Sequence, residues 1–284
     1  YPTRLLQTLM SLAPKKCDSS VPTVVLLTPG HLNSAYYEHT FLSDQMGIEM
    51  VEAQDLFVEN DFLYMKTVDG PKKIDVVYRR IDDDYLDPLA YNPNSVIGVP
   101  GITHVYKTGG VNICSAPGAG IADDKAVYIY VPEMIKFYLG ETPILDNVQT
   151  WRCERDDDLK YVLENIDELV IKEVDGSGGH GMLIGPKSTK QEIEDFSSKL
   201  KLHPEGYIAQ PTLDLSSSPT LIDNEISGRR VDLRPFCLLG EKVQLCPGGL
   251  TRVALGKGSY VVNSSQGGGV KDTWVLACLL YTSD

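Results

Sequence analysis

The chain has 284 residues, 42% hydrophobic and 23% charged, which is enough for roughly two domains with sizeable cores. Its formal net charge of -13 argues against nucleic acid as a main partner, since backbone binding relies on clustered Lys and Arg. No apolar run approaches the ~20 residues of a membrane-spanning helix, so no membrane partner is expected.

Six cysteines, Cys17, Cys114, Cys153, Cys237, Cys246 and Cys278, occur without a C-x-x-C pair or a His at zinc spacing. Neither a disulfide framework nor a structural zinc site is expected, and a cytoplasmic location is the default. The first residue is Tyr1, and Leu5, Leu6, Leu9 and Leu12 already lie at helical spacing, so the sequence reads as a fragment opening inside a helix.

Thr23 to Leu27 reads as a buried strand, followed by Thr28-Pro29-Gly30 and a helix from Ser34 to Met46 that ends at Gly47. Ile48 to Val51 is a strand, and Leu56 to Val58 with Leu63 to Lys66 suits a hairpin about Glu59-Asn60-Asp61. Ile74 to Arg80 is another strand, ahead of the acidic run Asp82 to Asp84, and Val111 to Cys114 a further one. Alternating strands and helices imply a small α/β unit with a largely parallel sheet up to about residue 118.

A long helix is expected from Ala122 to Leu139, with Asp123 and Asp124 in its first turn, Gly140 past its end and a kink at Pro132. A second helix spans Asp156 to Asn165 and a third Lys190 to Leu200. Between them Leu169 to Lys172 and Met182 to Ile184 flank a loop with Gly176, Ser177, Gly178, Gly179 and Gly181, the pattern of strand, glycine loop, strand. Gly206 to Gln210, Val231 to Leu239, Val243 to Cys246 and Tyr260 to Val262 are strand-like. This half reads as α+β, with a domain change near residues 116 to 121.

Gly176-x-Gly178-x-x-Gly181 matches the dinucleotide fingerprint in letters, but that fingerprint needs a helix after the loop, and here a strand follows. No Gly-Lys-Ser/Thr ends this loop or the run Gly267 to Lys271, so neither is a Walker loop. Two readings remain: a glycine hairpin over nucleotide phosphates with Lys172 beside it, or a flexible tip with a surface lysine. Asp232 and Arg234 alternate with Val231 and Leu233, so on a strand both project to one face. They suit a metal ligand beside a phosphate clamp, and equally a structural ion pair. Lys125, Arg252 and the polar run Asn263 to Gly269 are further candidates, whose plain alternative is an ordinary exposed turn. No G-x-S-x-G elbow and no Cys/His pairing supports nucleophilic hydrolysis.

With these residues in hand, the sequence resembles the circularly permuted ATP-grasp family of bacterial proteins related to glutathionylspermidine synthase. The resemblance rests on Leu26 to Gly30 with Asn33 to Tyr36, Val77 to Asp83, Ala122 to Lys125, Lys172 to Gly185, Tyr207 to Pro211, Val231 to Phe236, Pro247 to Arg252 and Asn263 to Trp274. It implies a helix remnant over 1–20, a Rossmann-like pre-ATP-grasp domain over 21–118 and an ATP-grasp domain over 119–276 with an antiparallel sheet and a glycine-rich hairpin loop. It implies an ATP-dependent carboxylate-amine ligase that makes an amide or peptide-like bond through an acyl phosphate, with small-molecule or peptide carboxylates and amines as substrates. Lys125 and Lys172 would then hold the ATP phosphates under the loop of Gly176, Ser177, Gly178, Gly179 and Gly181, and Gln210 would meet the adenosine. Asp232 would bind Mg2+, and Arg234 and Arg252 would face the γ-phosphate or acyl phosphate. The family's Glu-x-Asn pair of further Mg2+ ligands lies in a permuted upstream segment and is absent here, which leaves a non-catalytic nucleotide-binding module or incomplete fragment as the alternative. The resemblance stops at Leu276, and 277–284 reads as a non-native tail.

Overall fold

A computed structural model of the chain describes residues 1–176, 181–263 and 267–276. They form two compact units, one of Tyr1–Gly120 with Pro235–Pro247, the other of Ile121–Arg234 with the chain from Gly248 onward.

The first unit begins with α1 (Pro2–Ser11), β1 (Val24–Leu27), α2 (Tyr36–Met46) and β2 (Glu49–Val51). An antiparallel meander follows, β3 (Leu56–Glu59), β4 (Phe62–Thr67) and β5 (Gly70–Ile74), then β6 (Val76–Arg79), α3 (Asp83–Leu86), α4 (Ile102–Thr108) and β7 (Asn112–Cys114). β1, β2, β6 and β7 make a parallel sheet in the order β2-β1-β6-β7. All four residues of β1 are buried, because a parallel strand covered on both faces needs a continuous apolar run rather than an alternating one. Val25, Leu27 and Val77 enter one core cluster with Ile102 and Leu63, while Val24, Leu26 and Val76 enter another with Leu5, Leu9 and Leu42.

The expected β3–β4 hairpin forms, with Asn60 and Asp61 both at positive φ (49° and 64°) as a two-residue hairpin turn requires. The single strand expected from Ile74 to Arg80 is two, broken at Asp75. That buried carboxylate accepts the Thr23 N–H at 2.9 Å, and the break turns an antiparallel edge into a parallel strand. α4 was not expected. Its start is held by Asp87, whose carboxylate accepts from the N–H groups of Gly101 and Thr103 at 3.0 Å each and Leu89 at 2.9 Å.

In the second unit the helix expected from Ala122 is replaced by 3-10 turns at Ala119–Asp123 and Val127–Tyr130 and then α5 (Val131–Leu139). Pro132 lies in the first turn of α5, where its missing N–H costs nothing, so it starts a helix instead of kinking one. β8 (Trp151–Arg152), α6 (Asp156–Glu164), β9 (Leu169–Glu173), β10 (Leu183–Ile184), α7 (Lys190–Leu202) and β11 (Tyr207–Pro211) come next, the strands forming an antiparallel sheet in the order β10-β9-β11-β8. α6 and α7 pack on it through Val162, Phe196 and Leu200. A further sheet runs β12 (Ser217–Ile222), β13 (Glu225–Leu239), β14 (Val243–Val253) and β15 (Gly269–Lys271), of which Pro235–Pro247 belongs to the first unit. β12 and β15 were not expected, and Tyr260–Val262 is not a strand. There the Ser259 hydroxyl bonds the N–H and carbonyl of Val261, and the Tyr260 ring lies under the cations of Arg230 and Lys187 at 3.9 and 4.6 Å.

Candidate active site

β9 alternates. Leu169 and Ile171 enter the core, so Val170 and Lys172 face the other way. The antiparallel register sets Gln210 and Ile184 on either side of Val170. On this face lies a cavity of about 290 Å³ with an apolar wall of Val170, Met182, Ile184 and Leu213 and a polar end of Lys172, Gln210, Asp232, Arg234 and Asn263.

The Lys172 ammonium donates to Gln210 Oε1 at 2.7 Å, and Gln210 Nε2 donates to Thr150 Oγ1 at 2.9 Å. Burial, reinforced by the charge of Lys125, holds Lys172 below the usual lysine pKa. Lys125 donates from Nζ to the carbonyls of Val174 (3.3 Å) and Gly176, so its charge is fixed where the glycine loop departs from β9. Lys125 is thus near enough for its charge to disfavour the Lys172 ammonium, an effect that a bound anion would relieve. Gly181, at φ +67°, takes a backbone conformation that strains other residues, and a Cβ there would push the Glu173 carboxylate aside. Ser177, Gly178 and Gly179 lie outside the described residues.

Asp232 Oδ2 accepts from Arg234 Nη2 at 3.1 Å and Nε at 3.3 Å, while Oδ1 is buried with no partner among the described residues. Arg252 on β14 donates through Nη1 to Asn263 Oδ1, and its buried Nε has no partner among the described residues. An orphaned buried carboxylate oxygen at a cavity fits a cation. Among the described residues no group of three His, Cys, Asp or Glu could cage a metal alone. That donor set suits Mg2+, which commonly takes one or two carboxylates and completes its shell with phosphate oxygens and water.

The sequence matches the family of circularly permuted ATP-grasp type 2 proteins over residues 1–254. The chain belongs to that family. The match takes in α1 and ends after β14, whereas the resemblance read from motifs ran over residues 20–276. This ATP-grasp chain is 54% identical over 277 residues to "Uncharacterized protein sll0335" of Synechocystis, covering 97% of the chain and 57% of that protein. It is 40% identical to "Putative glutamate--cysteine ligase 2-3" of Frankia alni, covering 96% of the chain and 32% of that protein. The chain thus spans little more than half the length of the Synechocystis relative and less of the Frankia one. Its mixed α/β fold, with parallel and antiparallel sheets, is also that of a glutathione synthetase-like effector from Globodera pallida (TM-score 0.56, 11% identity, 91% of this chain and 58% of that one).

Of the residues singled out in the sequence of this ATP-grasp chain, Lys172, Gln210, Asp232 and Arg234 line one cavity. Arg252 reaches its edge through Asn263, and Lys125 bonds the Gly176 carbonyl at the loop's start. Sequence reasoning missed Thr150 and the apolar residues Val170 and Leu213, whereas Asn263 opens the polar run it had singled out. The alternation of β9 predicts Val170 once Lys172 is placed, but Thr150 meets Gln210 across 60 residues and leaves no local signal.

Proposed function

We propose that this chain carries the nucleotide-binding part of an ATP-dependent ligase that joins a carboxylate to an amine. In this reading 21–118 is the pre-ATP-grasp domain and 119–276 the ATP-grasp domain. The observation that carries it is the cavity lined by Lys172, Gln210, Asp232 and Arg234 together with Val170, Met182 and Ile184, with Lys125 anchored on the Gly176 carbonyl at the start of the glycine loop. The apolar wall suits a planar base, with Gln210 at its edge. Lys125, Lys172 and the loop hold the phosphates, while Arg234 and Arg252 steady the charge on the phosphoryl group in transfer. Asp232 would hold Mg2+, which when bound would supply charge neutralisation at the phosphates. A substrate carboxylate oxygen attacks the γ-phosphorus and ADP leaves. The amine then attacks the acyl carbon, phosphate leaves and the amine's proton is lost. Transfer of this kind needs positioned cations more than covalent chemistry from the protein, which agrees with the Lys172 and Arg234 that line the cavity. The name of the Frankia relative supports the ligase reading.

A nucleotide-binding module without turnover is the second reading, favoured by Asp232 being the single carboxylate among the described residues that line the cavity. Thermal-shift titration with Mg-ATP tests the site itself. At ~100 times Kd, binding stabilises by about 2.7 kcal/mol, and each kcal/mol raises Tm by roughly 2–4 °C in a domain of this size. The shift is expected in the parent and absent in Lys172→Ala; equal shifts in both would refute the assignment. ADP release with a carboxylate and an amine separates ligase from module.

A further inference from the structure

On the sheet face that carries Lys172, a polar row crosses from β9 over β11 to the residue before β8. β11 pairs with β9 so that Ile208 lies opposite Lys172 and Gln210 opposite Val170. On its other side β11 pairs with β8, Ile208 opposite Arg152 and Ala209 opposite Trp151. One step further in the same antiparallel register, Gln210 comes opposite Thr150. Residues directly opposite share a face of the sheet, and a long side chain also reaches the diagonal neighbour two residues along. Gln210 is therefore placed to meet Thr150 across one gap between strands and Lys172 across the other. Both contacts are made: Gln210 Nε2 donates to Thr150 Oγ1 at 2.9 Å, and Lys172 Nζ donates to Gln210 Oε1 at 2.7 Å.

A half-turn about its last side-chain bond exchanges the two ends of the Gln210 amide, so its surroundings must choose between them. An ammonium only donates, and the end that faces Lys172 has to be the oxygen. The other end is fixed independently. A hydroxyl has one hydrogen, and that of Thr150 goes to the Val148 carbonyl at 2.9 Å, so towards Gln210 its oxygen accepts. Val148 is anchored in turn, its N–H donating to the Tyr128 hydroxyl (2.9 Å), while Asn147 Nδ2 donates to the Tyr128 carbonyl (2.8 Å). The bonds from Lys172 to Val148 thus all run one way, each donor meeting an acceptor. Gln210 and Lys172 line the cavity, whereas Thr150 stands behind them, outside its lining. A contact that only fills space would tolerate either orientation of the amide; this chain of bonds admits one.

We propose that Thr150 is a positioning residue of the cavity: its hydroxyl turns the Gln210 carbonyl oxygen towards Lys172 and so holds the ammonium in place for a nucleotide phosphate. The role rests on the nucleotide reading and adds to it a residue that acts through Gln210, without touching the ligand. When the hydroxyl is removed, the amide is free to turn its NH2 to Lys172. A donor then replaces an acceptor beside the ammonium, which disfavours its charged form. The other charges about Lys172 are Lys125, bonded to the carbonyls of Val174 and Gly176, and Asp232 and Arg234 in the cavity lining. Glu173, the next residue, pairs with Tyr207 on the opposite face. Substitution at Thr150 leaves all four in place.

The test reads Lys172 directly, by NMR titration of the 284-residue chain carrying isotope-labelled lysine ε-carbons, with the Lys172 signal assigned from its loss in Lys172→Arg. Thr150→Val keeps the shape of the side chain without the hydroxyl, and the Lys172 midpoint is expected to fall by about one pH unit in the ligand-free protein. Thr150→Ser should restore it. Gln210→Leu, which removes the acceptor itself, should lower the midpoint too, and adding Thr150→Val to it should change nothing more. A midpoint that stays put in Thr150→Val, or that falls further in the double variant, overturns the proposal. Mg-ATP binding to the same variants is expected to be about tenfold weaker in Thr150→Val and recovered in Thr150→Ser; binding as tight as the parent's in Thr150→Val also overturns it. If the midpoint moves as expected while Mg-ATP binds neither parent nor variants, the hold of Thr150 on Lys172 stands and the nucleotide reading fails, so the two are told apart.

Discussion

Lys172 shows how one residue links the fold to its chemistry. Its place on β9 gives it a half-buried setting, and burial with Lys125 nearby holds it below the ordinary lysine value of 10.5. Between the depressed value and 10.5 the unfolded chain binds more protons than the folded one, so stability rises with pH across that window, and below it the whole cost is present. In the proposed site, phosphate beside the ammonium would restore its proton. Mg-ATP binding just below pH 10.5 is therefore expected to take up as much as ~1 proton, read by calorimetry in buffers of different ionisation enthalpy and absent in Lys172→Ala. The residue itself was legible in the sequence as a lysine ahead of a glycine loop. The Gln210 to Thr150 relay that holds it was not, because partners that meet across the sheet leave no periodic trace.

Elements were legible where the cause of their structure is local. α7 starts at a Thr189 to Glu192 capping box, α2 ends on Gly47 in the left-handed region, and the β3–β4 turn carries its own positive-φ residues. α4 was missed because the carboxylate that starts it, Asp87, lies 14 residues before Gly101. Burial acts to raise the pKa of Asp87, yet the N–H groups of Gly101, Thr103 and Leu89 hold it below the usual aspartate value of 3.8. Its stabilising contribution is present above 3.8 and lost as pH falls through the folded value. Asp87→Asn, which leaves backbone donors short of an acceptor, is expected to cost about 1–3 kcal/mol at pH 7. It should also flatten the acid side of the stability curve, as urea unfolding at pH 7 and pH 3 would show.

At the scale of the molecule, chain order and spatial order part company. The alternating strands and helices of the first hundred residues announced a parallel sheet, but nothing local says that Pro235–Pro247 joins that unit. Leu238 and Cys246 lie in its second core cluster beside Leu5, Leu9 and Leu26. Leu238 is 8% exposed, and Leu238→Ala is expected to cost the first unit about 2–5 kcal/mol. Amide exchange read separately on β1 and on β9 checks this, since the loss should be seen at β1.

That return of the chain also sets a schedule for synthesis. Residues 1–120 emerge from the ribosome with one of their two cores still short of Leu238 and Cys246. At 5–20 residues per second the wait for the returning hairpin is about 6–25 s. During that time Leu5, Leu9, Leu42 and Met46 have an incomplete lining, a window in which a chaperone that binds exposed apolar side chains has something to hold.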